Sequence, residues 1–76
     1  MYNVDGDRMY RTDILKQVRK QYGYTVYDMA EKLSITPSFY SQLENKKRRL
    51  FYDMAFRISS VFNMKPDELF YTNIKK

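Results

Sequence analysis

The chain has 76 residues, enough for one small domain that buries only about 60% of the surface its unfolded chain exposes. It has no cysteine and no histidine, which excludes disulfides and the usual zinc ligands. Its 14 Lys and Arg residues against 9 Asp and Glu residues give a net charge of +5, which favours polyanionic partners such as nucleic acid or anionic lipid. No apolar run approaches the ~20 residues of a membrane span, and the polar N-terminus does not resemble a signal peptide. We therefore expect a cytoplasmic protein that does not enter membranes.

Two helices are predicted in the first half of the chain. Thr12 is a candidate N-cap, and apolar residues at helical spacing follow it until Gly23, a natural stop. Thr25 and Asp28 have the spacing of a capping box. A second short helix is therefore predicted over residues 26–33.

Three more helices are predicted after it. Thr36 can cap a third helix over residues 37–44, with Pro37 at the first position, where no N–H is needed. Apolar residues at helical spacing predict a fourth helix over about residues 50–62. The sequence PDELF, starting at Pro66, predicts a last short helix.

These helices predict an all-α fold, a compact five-helix domain over residues 12–71. Residues 1–11 lack hydrophobic periodicity and are expected to form a flexible arm. Residues 72–76 are polar and are expected to fray. No stretch alternates with period two for long enough to indicate a strand.

The third predicted helix has two different faces. With about 100° between successive residues, four short polar side chains share one face: Ser38, Ser41, Gln42 and Asn45. Tyr40 and Leu43 fall near the opposite side, and Phe39 lies at the edge. A major groove admits such a helix, where Gln pairs with adenine, Ser bonds to base edges and a Phe ring contacts a thymine methyl. A face of this kind is also common as plain solvated surface, and that alternative stays open.

Four consecutive cations at residues 46–49 follow this helix directly. They would lie near phosphates. Contacts to phosphates fix the register of the protein on DNA and supply much of its affinity. Such a run is also often merely solvated. DNA binding is favoured by a combination of features: the helices at 26–33 and 37–44, the short turn between them at residues 34–36, and the cationic loop after the latter helix. This is the helix-turn-helix layout.

The segment from Met29 to Asn45, MAEKLSITPSFYSQLEN, resembles the helix-turn-helix of the Cro/lambda-repressor-like family, also called the xenobiotic-response-element family. Residues 15–19 resemble the family's first helix, and residues 54–69 resemble its fourth helix and closing turn. The resemblance covers about residues 12–70. It implies a lambda-repressor-like fold and sequence-specific binding of double-stranded DNA.

The resemblance also implies roles for single residues. Arg19 and Glu44 match a family pair that forms a largely buried ion pair. The positions that usually face bases hold Pro37, Ser38, Ser41 and Gln42, to which the helix geometry adds Phe39. The residues expected near phosphates are Thr25, Tyr27, Asn45, Lys46, Lys47 and Arg48.

Three departures from the family pattern have consequences. Val26 stands where a glutamine that touches phosphate is common, so that contact is expected to be missing. Ser34 and Lys46 stand where the family usually has glycine. If their φ is positive, each costs about 1 kcal/mol.

The many aromatic residues leave two interpretations open. Eight tyrosines and five phenylalanines could form a stacking surface for single-stranded nucleic acid. Several of them lie at or near apolar helix faces instead, which favours a core or an interface: Tyr10, Tyr22, Tyr40, Tyr52 and Phe62. We expect Phe70 and Tyr71 to be exposed and to contact a second protomer.

Two functions remain. The first is a transcriptional regulator, a repressor-type homodimer that reads a near-palindromic operator with helix 37–44. The second is an antitoxin-like or controller protein that binds the protein of a neighbouring gene and represses its own promoter. An enzyme is not expected, because the chain has no His, no Cys, no isolated carboxylate pair and only two glycines. We expect no catalytic residues, cofactor, metal or small-molecule ligand.

Overall fold

The structure, a computed structural model, describes residues 10–71 of the chain. This part is all-helical and contains no strand, as predicted. The helices are α1 Asp13–Gln21, α2 Val26–Leu33, α3 Pro37–Glu44, α4 Tyr52–Val61 and α5 Pro66–Phe70. The predicted bounds of α2, α3 and α5 are confirmed, whereas α4 starts two residues later than expected. Most of the expected arm and all of the expected frayed tail lie outside the described residues.

Side-chain caps begin α2 and α3. Thr25 Oγ1 accepts the backbone N–H of Asp28 at 3.1 Å, and the Asp28 carboxylate accepts the N–H of Thr25 at 2.8 Å, which completes the predicted capping box. Thr36 Oγ1 accepts the N–H of Phe39 at 3.0 Å. The prediction of a side-chain cap by Thr12 is wrong. Thr12 has ψ 0° and makes no such bond, because a capping hydroxyl needs an extended backbone.

Four helices end in the same way. The chain turns at one residue in the left-handed region, with φ between 59° and 76°: Gly23, Ser34, Lys46 and Asn63. The N–H of the following residue then bonds to the carbonyl five residues earlier at 2.8–3.0 Å, which is the Schellman hydrogen bond. Ser34 and Lys46 therefore do occupy the conformation that the missing glycines predict, at a cost of about 1–2 kcal/mol each.

One hydrophobic core joins the helices. Helix α2 packs on α3 and α4, and α5 packs on α1 and α4. The buried apolar residues come from every helix, from the segments before α1 and α4, and from the position directly after α4: Tyr10, Leu15, Met29, Ala30, Leu33, Tyr40, Leu43, Leu50, Ala55, Ile58, Phe62, Leu69 and Phe70. Within residues 10–71 no helix has the length and apolar character needed to cross a membrane.

Both ends of the described chain pack into the domain. Tyr10 is buried, and its ring meets that of Phe70 edge-on at 6.4 Å. The N–H of Arg11 donates to the Phe70 carbonyl at 2.8 Å, so Tyr10 and Arg11 both contact α5. The prediction that Phe70 is exposed is wrong. Only 1% of it is accessible, because α5 turns this face inward, and Tyr71 is half-buried.

Candidate nucleic-acid interface

Helix α3 turns small polar side chains outward and large side chains inward. Its outer side and its end carry residues predicted to face DNA: Pro37, Ser38, Ser41, Gln42 and Asn45, all exposed or half-buried. On its inner side Tyr40, Leu43 and Glu44 are at most 4% exposed. Phe39 is half-buried at the edge. The structure thus brings the predicted base-facing residues together on one accessible surface.

A buried polar cluster fixes α3 to α1. The Arg19 guanidinium donates to both carboxylate oxygens of Glu44, at 2.8 and 3.0 Å, and to the Tyr24 carbonyl at 2.9 Å. The Tyr40 hydroxyl donates to Glu44 Oε2 at 2.7 Å. The predicted ion pair is therefore present and carries additional hydrogen bonds. Because its members lie directly behind the outer face, they hold that face in one orientation.

The cluster also fixes protonation states. Burial, and then the hydrogen bond to Glu44, raise the pKa of the Tyr40 hydroxyl far above its usual range. The hydrogen bond to Glu44 raises the pKa of Arg19, although burial opposes this change. Tyr40 therefore stays a neutral donor and Arg19 stays a cation at any pH the folded protein meets.

Hydrogen bonds orient the amides on the outer face. Gln42 Nε2 donates to Ser38 Oγ at 3.4 Å, and Gln42 Oε1 accepts from Arg48 Nε at 3.0 Å. An amide has two donor hydrogens and an oxygen with two lone pairs, so each end of Gln42 keeps the capacity for a further bond. Asn45 Nδ2 donates back to the Ser41 carbonyl at 2.9 Å. Asn45 therefore stabilises the end of α3 in this arrangement.

The four loop cations point in different directions, which the sequence could not reveal. The Lys46 ammonium donates to the Tyr10 carbonyl at 2.9 Å. Arg48 lies over the Phe39 ring, and Arg49 lies 5.7 Å from the centre of the Phe51 ring. Within residues 10–71, the Lys47 side chain is exposed and has no hydrogen-bond or ion-pair partner.

At the start of α2, the capping box already uses the N–H of Thr25. The Asp28 carboxylate takes the N–H of Thr25, and this bond lowers the pKa of Asp28. A carboxylate that stays ionised here repels phosphate. The N–H groups of Val26 and Tyr27 remain, because the first turn of a helix has no acceptor for them. The Tyr27 side chain is 72% exposed beside them.

An exposed aromatic patch at the start of α4 was not predicted. Phe51, Tyr52 and Phe56 are 60%, 62% and 55% exposed. Tyr52 and Phe56 are four residues apart and so share one side of the helix, away from the buried Ala55 and Ile58. That spacing was the available signal, but of these residues only Tyr52 was considered, as part of a core or an interface. We call these three residues the aromatic patch.

Comparisons with known proteins agree with this geometry. A family model described as helix-turn-helix matches residues 15–69. The chain is 28% identical over 76 residues to a Pyrococcus furiosus protein named "Putative HTH-type transcriptional regulatory protein PF1851", with 96% of this chain and 22% of that protein covered. The chain thus spans about a fifth of the length of this relative. No solved structure matches this chain at a significant level.

The family match spans the structural features that position α3. It covers α2, the turn through Ser34 and α3, and it includes the Arg19–Glu44 ion pair. The remaining helices of the domain also fall within it, apart from the first two residues of α1 and the last residue of α5. The chain therefore belongs to the Cro/CI-like family of helix-turn-helix proteins.

Proposed function

We propose that the protein is a sequence-specific transcriptional regulator that binds double-stranded DNA with α3 in the major groove. The observation that carries this proposal is the outer face of α3, polar and accessible, and held from behind by the Arg19–Glu44 pair. A major groove about 12 Å wide admits a helix of this kind. Membership of the helix-turn-helix family and the name of the Pyrococcus relative support the same function. We expect the protein to act in the cytoplasm.

The outer face supplies the base contacts. Gln42 pairs with adenine through its amide, and Ser38 and Ser41 bond to base edges of either kind. Pro37 has no N–H to donate, so it contributes only apolar contact. Because both ends of the Gln42 amide are already oriented by neighbours, little side-chain freedom is lost when it binds.

Phosphate contacts come from both sides of α3. Lys47 is the best placed loop cation, since its ammonium has no partner within the described part of the chain. The N–H groups of Val26 and Tyr27 add a contact at the positive end of the α2 dipole. Lys46 must first release the Tyr10 carbonyl before it can reach a phosphate, and it contributes less.

A homodimer gives the specificity that one short helix cannot supply. Two recognition helices about 34 Å apart read half-sites one DNA turn apart on a near-palindrome. The aromatic patch supports this assembly, because Phe51, Tyr52 and Phe56 are more than half exposed and aromatic residues are enriched at interfaces. Such a dimer on its operator would block transcription and act as a repressor. Sedimentation equilibrium tests the assembly: we expect a dimer at micromolar concentration, and a monomer that binds a palindrome with one-site behaviour would contradict it.

The second candidate function is binding to a partner protein, as in an antitoxin-like or controller protein. The aromatic patch favours it too, because the patch could bind the product of a neighbouring gene. The two candidates differ in a direct test. Selection of bound duplexes from a random pool at about 150 mM salt should enrich one near-palindrome if the protein reads DNA. No enrichment, together with co-purification of the neighbouring gene product, would favour the partner protein.

A further inference from the structure

The Arg48 side chain returns to the outer face of α3. Its Nε donates to Gln42 Oε1 at 3.0 Å, and its guanidinium carbon lies 4.9 Å from the centre of the Phe39 ring. A planar cation over an aromatic face is an attractive arrangement. Two contacts therefore hold the guanidinium beside the side chains that face bases, although the loop position alone would have indicated a phosphate contact.

The two terminal nitrogens of the Arg48 guanidinium are available as hydrogen-bond donors. Within residues 10–71, neither Nη1 nor Nη2 of Arg48 has a hydrogen-bond or ion-pair partner. Together they present two parallel N–H groups in one plane. Such a fork also binds pairs of phosphate oxygens, so the position of the plane decides which acceptors it meets. A fixed plane beside a base-reading amide is the arrangement that suits the O6 and N7 acceptors on the major-groove edge of guanine.

We propose that Arg48 reads a guanine through Nη1 and Nη2, at the base pair next to the one that Gln42 reads. The inference rests on the proposed function, since α3 must enter the major groove. The separation of the two side chains agrees with contacts to neighbouring base pairs. Arg48 Nε and Gln42 Oε1 are 3.0 Å apart, and stacked bases are about 3.4 Å apart. Phe39 then acts as the platform for Arg48, and the ring face that Arg48 covers does not contact a thymine methyl.

The test uses the duplex that the wild-type protein selects from a random pool. In each half-site, one guanine next to the Gln42 base pair is replaced by 7-deazaguanine, which has a C–H in place of N7. The proteins compared are wild type, Arg48→Gln, Arg48→Lys and the control Lys47→Gln, each checked for its fold by circular dichroism. Arg48→Lys keeps the charge but loses the planar fork.

We expect the wild type to bind the 7-deaza duplex at least about fivefold more weakly, within the 5- to 150-fold range of a bidentate base contact. Arg48→Gln should bind both duplexes equally. Arg48→Lys should keep the salt dependence of the wild type and lose most of its preference for guanine. Lys47→Gln should keep the full wild-type ratio between the two duplexes.

Two other outcomes would overturn the inference, and they differ. If the wild type selects a site but Arg48→Gln shows the same 7-deaza effect, or the site has no guanine at that position, Arg48 does not read a base and the proposed function stands. If the wild type selects no sequence at all, the proposed function fails and this inference fails with it.

Discussion

Removal of the Glu44 carboxylate should cost the domain a large part of its stability. In Glu44→Ala, the Arg19 guanidinium, whose side chain is only 12% exposed in the wild type, loses two charged hydrogen bonds, and the Tyr40 hydroxyl loses its acceptor. Breaking one side of a buried ion pair costs about 3–5 kcal/mol. Because Arg19 keeps some access to water, we expect about 3–4 kcal/mol. At about 0.05–0.15 kcal/mol per residue, the whole domain is stable by only roughly 4–11 kcal/mol.

The assay is urea unfolding followed by circular dichroism at 25 °C, with a double-mutant cycle as the control. Arg19→Met should be similarly destabilising, whereas the double variant Arg19→Met, Glu44→Ala should lose clearly less than the sum of the two single losses, because no charge is left unpaired. Tyr40→Phe, which loses one hydrogen bond to a charged group, should cost about 1.5–3 kcal/mol. A loss of less than about 1 kcal/mol in Glu44→Ala would contradict a buried ion pair of this strength, and so would two single losses that add up to the loss of the double variant within about 0.5 kcal/mol.

Three further predictions concern separate parts of the molecule. Lys47→Gln should flatten the plot of log affinity against log salt by about 0.9 for each bound protomer, while Lys65→Gln, the same change at the start of α5, should leave the slope unaltered; equal slopes in all three proteins would remove Lys47 from the phosphate contacts. The raised pKa of Tyr40 keeps its proton on the folded protein, whereas the unfolded chain releases it near pH 10. The contribution of Tyr40 to the free energy of unfolding is therefore complete below about pH 10 and falls as the pH rises above it. In urea unfolding, the fall with pH should be shallower in Tyr40→Phe than in the wild type, by up to about 1.36 kcal/mol per pH unit. The same fall in both proteins would contradict the role of this group. Ser34→Gly should raise the midpoint of thermal unfolding, because about 1–2 kcal/mol of left-handed strain is exchanged for about 0.5–1 kcal/mol of backbone entropy; a lower midpoint would show that Ser34 is not strained.

Local signals in the sequence predicted the helices well. Thr25 and Thr36 mark the starts of α2 and α3 because their hydroxyls satisfy backbone N–H groups, a pattern that depends only on neighbours in the chain. Thr12 has the same chemistry, but its backbone is not extended and its hydroxyl makes no cap. The resemblance to the family supplied the Arg19–Glu44 pair, which spans 25 positions and which no local pattern could reveal.

The errors concern the direction in which side chains point. A five-residue helix is too short for periodicity to show which side faces the core, so Phe70 was expected outside. The aromatic patch has helical spacing but lies on the outer side of α4. In the basic loop, composition gives the charge of Arg48 but not its position over Phe39. These directions depend on tertiary contacts between residues that lie far apart in the chain.

We propose that the outer face of α3 reads base pairs. The most direct test of this role compares the wild type with Gln42→Ala on a panel of duplexes in which each base pair of the selected site is changed singly. We expect Gln42→Ala to lose discrimination of about 1–3 kcal/mol at one base pair of each half-site and to keep it elsewhere. An equal loss of affinity for every duplex in the panel would contradict base reading by α3.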